Sequence, residues 1–413
     1  MLDSTQAIID NPPLPRTRAL RAEFAIHRDF DSVEEEWRRF EAVADCTVFQ
    51  SFDWLSCWYR HIGRPSGVRP VIVVGRREGD TQLILPLAIV PGMVRRLTFL
   101  GSELCDYNAP LIAPDYAQRV SPIEFLRVWQ NILGLLHGRF DLVELTKMPE
   151  TVGAQRNPLL ALDVGLNPSG AHATQLPANW DEFYQAKRSS GTRRRDRTKR
   201  KRLGEFGEVH FVTPRDTGEI ARTLDTLMAQ KAKSFARMGV GNIFERPGCR
   251  EFFIDIATNA CTRSLTHVSR LDVGEIAAAI NLGLTFRGSY YHVLASYDDG
   301  DLSRFGPGAA HLRDLLAYAI EIGCTRFDFT IGDERYKREW SDCAIDLYDH
   351  VACASARGWP LATFALVRRR LVRLIKQNPL LWSAFSRMRS TFGMARAKDD
   401  LPAERKSPPI APE

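Results

Sequence analysis

The sequence predicts an α/β protein of two similar domains, and three observations point there. A chain of 413 residues is too long for one ordinary core and suggests two of usual size. Residues 126–145, LRVWQNILGLLHGRFDLVEL, are echoed by residues 312–331, LRDLLAYAIEIGCTRFDFTI. Both read as a helix, a Gly-containing turn and a strand opening on Arg-Phe-Asp, and the Leu-Arg to Asp separation differs by one residue. An internal duplication explains both matches. Third, residues 290–320 read as an apolar strand, a loop carrying Arg304, Gly306 and Gly308, and an amphipathic helix. Glycines admit close backbone approach and a helix start offers unpaired N–H groups with partial positive charge, so this stretch is a candidate anion cradle.

The first block is expected over 21–165. VRPVIVVGRR and TQLILPLAIV are strands joined by a turn at Glu78-Gly79-Asp80. A helix over SPIEFLRVWQNILGLLHG and a strand FDLVELTKM follow. The Pro/Gly/Asn-rich stretch up to QLP reads as a linker. The second block is expected over 178–355. It opens on a basic helix interrupted at Gly191, continues with helices near 217–237 and 248–264, and then alternates strand-like runs with the cradle and its helix. Residues 1–20 and 396–413 read as disordered tails, and 356–395 as a basic amphipathic helical extension able to lie on an anionic membrane or pack on the domains.

Composition excludes several classes. At 44% hydrophobic and 26% charged residues the chain reads as globular, with no run long enough to span a bilayer. The start lacks the basic and apolar regions of a secretory signal. The eight cysteines are scattered without a CxxC pair, which fits reduced thiols in a cytoplasm. Cys343, His350 and Cys353 miss the usual ligand spacings, so no metal is expected. The net charge of +6 is local. Residues 187–202 hold ten Lys or Arg and one Asp, so the remainder sums to −3. Few aromatics interleave with these charges, which fits a phosphate-rich acceptor better than a reader of nucleic-acid bases.

The order of these elements resembles the GNAT acyltransferases, and more specifically the CelD-type branch associated with cellulose and other exopolysaccharide production. The resemblance rests on FQSFDWLSCWY at 49–59, LPL at 85–87, RRLTFLG at 95–101, EIAAAINL, YYHVLASYD, GPGAAHL and FDFTIGDERYKREW, spread over about 45–345. It implies tandem GNAT-like domains, each a mixed, mainly antiparallel sheet flanked by helices, with only the second able to hold acyl-CoA. The first-block helix is preceded by APDYAQRVSPIEF, without a glycine cradle. One departure stands out. Glycines follow Arg304 at +2 and +4 where the GNAT motif has +3 and +5, and Pro307 lacks an N–H.

The resemblance implies N-acyl transfer from acetyl-CoA or another acyl-CoA to an amino sugar or related precursor of surface polysaccharide, in the cytoplasm, with peripheral contact to the inner membrane as an option. Two alternatives remain open: aminoacyl transfer from tRNA, as in the tandem GNAT-like Fem-type enzymes, and a non-catalytic regulator keeping the fold. The transfer needs a base for the amine, donors for the oxyanion and an acid for the thiolate. Backbone groups of Leu294, Ala295 and Ser296 are candidates for polarising the carbonyl, and Arg304, Gly306, Gly308 and Ala309 for holding the phosphates. His292 is a candidate base, with a hydrogen-bonded structural histidine as the alternative. In GDERYK, Asp333 and Glu334 can take the amine proton, Tyr336 can protonate the thiolate and Lys337 can hold an anion. Arg194 and Arg197 on the basic helix are candidates for gripping the acceptor. Asp328 and its counterpart Asp141 read as structural.

Overall fold

The computed structural model describes residues 23–377. The first body starts with β1 (Glu23–His27), α1 (Glu34–Glu41) and α2 (Phe52–Trp58). A long hairpin follows, β2 (Arg69–Arg77) and β3 (Asp80–Val90), then β4 (Arg96–Phe99) and the short β5 (Leu111–Ile112). The two-residue turn of that hairpin puts Glu78 at φ 57° and Gly79 at φ 89°, the left-handed pair that twists with the strands. Then come α3 (Tyr116–Arg119), α4 (Pro122–Leu135), β6 (Leu142–Pro149), the ribbon β7 (Thr151–Val152) and β8 (Gln155–Arg156), and β9 (Val164–Leu166).

The second body contains β10 (Ala171–Gln175), α5 (Trp180–Lys187), α6 (Ser190–Leu203), β11 (Val209–Val212), α7 (Thr217–Met238) and α8 (Cys249–Thr258). It continues through β12 (Thr266–Val273), β13 (Ile276–Phe286), β14 (Ser289–Tyr297), α9 (Pro307–Glu321), β15 (Arg326–Ile331) and α10 (Arg335–Trp340). The strands β16 (Cys343–Ile345) and β17 (Leu347–Cys353) and the helix α11 (Trp359–Gln377) close it. The basic segment breaks at Arg188-Ser189, not at Gly191 as expected. Arg188 is extended, and Ser189 caps α6 by accepting from the Thr192 N–H.

The two sheets carry the same plan. One runs β1-β2-β3-β4-β6-β17-β9, with β5 added to β3, and the other β11-β12-β13-β14-β15-β10-β16. In each, three antiparallel contacts lead to one parallel pair, β4 with β6 and β14 with β15, joined through α4 and α9 respectively. This is the tandem, mainly antiparallel arrangement that the family resemblance implies, and the repeated helix–turn–strand falls at the same place in both sheets.

Strand membership departs from the linear blocks. β17, from the end of the second block, pairs with β6 and β9 in the first sheet. β10, inside the expected linker, lies between β15 and β16 in the second sheet. Each sheet thus fills its sixth place with a strand from outside its expected block. β10 escapes sequence reading because AHATQ is short and polar, yet Ala171 to Thr174 are all buried. The expected tails 1–20 and 396–413, and residues 378–395 of the expected extension, lie outside the described residues.

One apolar cluster crosses between the bodies. Trp54 on α2 meets Phe252 on α8 edge-on at 4.9 Å, and Phe49 meets Tyr291 on β14 at 6.0 Å. Tyr107 donates its hydroxyl to the buried Asp328 Oδ1 at 2.6 Å, and Arg287 donates to the Ala44 carbonyl at 2.5 Å. A core continuous across both bodies makes them melt together. Phe252→Ala is expected to cost about 3–5 kcal/mol by deleting a fully buried ring. Urea unfolding followed by fluorescence checks this. A single transition at a lower midpoint is expected, and two separate transitions in the parent protein would contradict the shared core.

Candidate functional site

The site begins where β14 leaves β15. The strands pair in parallel over three residue pairs, Ser289 with Arg326, Tyr290 with Phe327 and Tyr291 with Asp328, and then part. On its other edge β14 stays paired with β13 to Tyr297, with a shift in register between the Leu282–Leu294 and Gly283–His292 pairs that leaves Val293 as an extra residue. Such a bulge bends its strand, here at the point of parting. Beyond it, the β15-facing backbone of β14 has no ladder partner. The Thr330 hydroxyl, at 3.2 Å, takes the His292 carbonyl.

The opening is a cavity of about 420 Å³. Its walls are β14 (His292, Ala295–Tyr297), the first turns of α9 (Gly308–Leu312), α7 and α10. At the α9 end, Gly306 has φ 67° and no side-chain cap protects the helix start. Ala309 and Ala310 both donate to the Gly306 carbonyl and Pro307 has no N–H, which leaves the Gly308 amide without a bond. The equivalent start of α4 is closed. The Ser121 hydroxyl accepts from the Glu124 N–H while the Glu124 carboxylate accepts from the Ser121 N–H. The first body therefore meets its helix dipole with its own carboxylate, and the second leaves that place open.

The structure places the sequence candidates unequally. His292, Ala295, Ser296, Gly308, Ala309, Glu334 and Tyr336 line the cavity. Gly306 lies at the start of α9, where an added Cβ would stand 3.7 Å from Lys199 Nζ. Arg304 is exposed, its guanidinium 4.9 Å over the Phe305 ring. Leu294 packs against the apolar core instead of lining the cavity. Asp333 is exposed in the loop before α10. Lys337 is 4% exposed. Its amine donates to the Ile331 carbonyl at 2.6 Å and pairs with Glu334 at 3.3 Å, so it braces the loop rather than meeting a ligand. Arg194 and Arg197 point outward on α6, outside the cavity.

The electrostatics redistribute the expected roles. Burial, reinforced by Lys337, His311 and Lys231, lowers the His292 pKa to about 3, so its imidazole is neutral and a weak base. A base titrating near neutrality, the expectation from sequence, is therefore not what this environment holds. The ring stands edge-on to Tyr336 at 6.3 Å, and with the Asn281 amide turned over, its Nε2 accepts from Asn281 at 3.2 Å. Tyr336 has its pKa raised by burial and then by Glu334, and keeps its phenolic proton. Glu334 sits at the N-cap position of α10 without a side-chain capping bond, and its side chain is about half exposed where it lines the cavity. Asp328 is buried, accepts from Tyr107 and from the Thr330 N–H, and has its pKa raised by burial, which fits its structural reading.

Sequence reasoning missed the α7 wall: Gln230, Lys231, Ser234 and Arg237. Gln230 is buried, accepts from the Ser296 hydroxyl at 2.7 Å and donates to the Ala277 carbonyl at 2.8 Å. A glutamine and a lysine within an amphipathic helix carry no local mark of facing a cavity. Arg188 and Trp340 also line it, stacked at 4.2 Å, and they come from opposite ends of the second block. Among the described residues, a metal could be held by Cys57, His61 and Asp255. Asp255 Oδ2 already lies 2.8 Å from His61 Nε2 and 3.0 Å from Arg60 Nη1, so a guanidinium competes for that carboxylate. Cys343 and Cys353 are exposed, and His350 is buried, its Nδ1 2.8 Å from the Asp163 carbonyl oxygen.

Residues 190–338 match the family model described as an acetyltransferase (GNAT) domain. The fold is that of a GNAT-type acyltransferase. The matched span runs from the basic helix to α10 and includes the parted strands and the open helix start. Among solved structures, the chain is similar to FemX at 12% identity and a TM-score of 0.55, over 83% of this chain and 99% of that one. The likeness therefore extends over both bodies. A tandem GNAT protein from the clavulanic acid biosynthesis pathway is similar at 13% identity and a TM-score of 0.45, over 81% and 99%. L-PGS from Bacillus licheniformis is similar at 13% and 0.49, over 81% and 96%. No curated protein matches the sequence. Neither a CelD-type relationship nor a link to cellulose emerges from these likenesses.

Buried histidines make the second body acid-sensitive. His267, His292 and His311 have pKa values lowered by burial to about 4, 3 and 3. An unfolded chain protonates its histidines near pH 6.5 and the folded one does not. Their stabilising contribution is full above about pH 6.5 and falls as the pH drops toward 3–4. Between pH 7 and 5 the loss is on the order of 2 kcal/mol per histidine. Urea midpoints across that range are expected to fall with pH, and His311→Gln to flatten the slope. An unchanged slope in the variant would show that His311 is not held neutral.

Proposed function

We propose that the second body is an acyl-CoA-dependent N-acyltransferase, with acetyl the first acyl group to test, acting on an amino sugar or related precursor of surface polysaccharide. The observation that carries this reading is the uncapped start of α9 with its unpartnered Gly308 amide, set beside the parted strands β14 and β15. The cradle suits a diphosphate in charge and room. The Gly308 N–H is free, Lys199 stands beside Gly306, and a Cβ on Gly308 would come nearest the Tyr297 side chain, at an ordinary contact distance of 3.5 Å. Acyl-CoA supplies a thioester carbonyl open to attack by an amine.

The chain's residues divide the remaining work. Glu334, half exposed at the cavity, takes the proton of the incoming ammonium. Amides of β14 between Leu294 and Ser296 that face the parted side donate to the developing oxyanion. Tyr336 keeps its proton through burial and gives it to the departing thiolate. His292, neutral and held among Asn281, Phe327 and Tyr336, shapes the pocket floor. Asp333 remains a candidate second carboxylate at the rim. Arg304 can reach the phosphates from the exposed loop. The eight cysteines are free, as a cytoplasmic setting with ready acyl-CoA would allow.

A second reading uses aminoacyl-tRNA as donor, and the outer face of α6 favours it. Arg194, Arg195, Arg197 and Lys201 are exposed there with no acidic partner among the described residues. Arg200 pairs with Asp314 at 2.7 Å and Arg313 with Asp196 at 3.3 Å, which clamps the inner face of α6 to α9. A row of unpaired cations beside the cradle suits a polyanion.

Calorimetric titration with acetyl-CoA and longer acyl-CoAs separates these readings, repeated on Gly308→Trp. Gly308 has ordinary backbone angles, so the indole fills the cavity without unfolding α9. Saturable binding lost in the variant is expected. No binding at millimolar acyl-CoA, with tRNA bound in a steeply salt-dependent way, would transfer the site to the second reading. Glu334→Gln is expected to lower kcat about 10²–10⁴-fold, the usual contribution of a general base, with acyl-CoA affinity kept. An unchanged kcat would remove Glu334 from the chemistry.

A further inference from the structure

We infer that the acyl acceptor carries an anionic group, a carboxylate or a phosphate, and that Lys231 on α7 is the seat that receives it. The inference rests on the acyl-transfer reading of the cavity and concerns its acceptor side.

The polar groups of the α7 wall are unequally engaged. Gln230 is held by Ser296 and the Ala277 carbonyl, and Arg237 faces Asp299 at 3.5 Å. Among the described residues Lys231 has no hydrogen-bond or ion-pair partner, and its amine lies over the Phe235 ring, 5.2 Å from its centre. It is partly buried, and desolvation lowers its pKa, opposed by Glu334 and aided by Lys337. A partly buried amine without a contacting counter-ion, with Glu334 acting on it only from a distance, carries a desolvation cost that an anion from a ligand offsets.

Arg188 makes a second, independent observation on the same cavity. Its Nη1 donates to Glu339 at 2.9 Å and its plane lies over Trp340, yet its Nε is buried with no partner. The Lys231 amine and the Arg188 Nε thus border one space, each without an acceptor of its own. Glu334 lines the same space, so an acceptor can place its ammonium at Glu334 and its anion at Lys231. That pattern selects amines that bear an acid group on the same small molecule, and it disfavours neutral amino sugars.

Three probes test this by calorimetry: glucosamine, glucosamine 6-phosphate and muramic acid, which share an amino sugar and differ in charge and acid type. The protein with Lys231 is expected to bind at least one acidic probe tenfold or more tightly than glucosamine. Which probe wins distinguishes phosphate from carboxylate. Lys231→Met is expected to bring that probe to the glucosamine level, and Lys231→Arg to keep most of the preference. If the Met variant melts lower by circular dichroism, Lys231→Gln takes its place. A preference that survives loss of the amine, or no preference in the parent protein, overturns the inference. Acetyl-CoA titrated in parallel keeps the readings apart. Acidic preference without acyl-CoA binding sinks the acyl-CoA reading and leaves the seat, and acyl-CoA binding without acidic preference does the reverse.

Discussion

The parting of β14 from β15 is the constraint on which the rest of the site depends. Two parallel strands that separate after three residue pairs strand a row of backbone donors and acceptors, and a protein interior tolerates few of these. The chain answers locally. The Val293 bulge turns β14 away, Thr330 takes the His292 carbonyl, and Asp328 takes the Thr330 N–H while accepting from Tyr107 of the first body. What is left unpaired faces the cavity. The wedge is therefore held open by side chains on both sides of the molecule, and the first body contributes to it without touching a ligand.

That dependence explains why the bodies are bound so closely. Each sheet fills its sixth place with a strand from outside its expected block, β17 in the first and β10 in the second, and the apolar cluster continues through α2 and α8. Loosening either body would disturb the strand beside the other's parted pair. The two bodies also diverged at one decisive point. The Ser121–Glu124 capping box closes α4, whereas Gly306 leaves α9 open. A duplicated fold thus keeps one potential anion site and closes the other with its own carboxylate.

The basic cluster shows how charge can mislead when read as a block. Its inner residues are structural, with Arg200 and Asp196 tied to Asp314 and Arg313 of α9, and Leu203 buried among Leu302 and Ala310. Only the outer cations and Lys199 beside Gly306 remain for a partner. Among the described residues no helix is long and apolar enough to cross a membrane. Helix α11 leaves Phe364 and Leu371 exposed.

Much of the architecture was legible in the chain itself. The duplicated helix–turn–strand, the Glu78-Gly79 hairpin and the glycines before α9 are local patterns, because turn chemistry and helix starts are decided by a few neighbouring residues. Glu334, Tyr336 and Gly308 could be singled out for the same reason, lying in short polar or glycine-bearing segments between clear elements. The strand exchange could not be read, since β10 is five residues of small and polar side chains whose partners lie more than 150 residues away. Nor could the low basicity of His292, the inward turn of Lys337 or the lone amine of Lys231. Burial and the absence of a partner are properties of what packs around a residue, and those neighbours come from α7, α9, α10 and β14, which only the folded chain brings together.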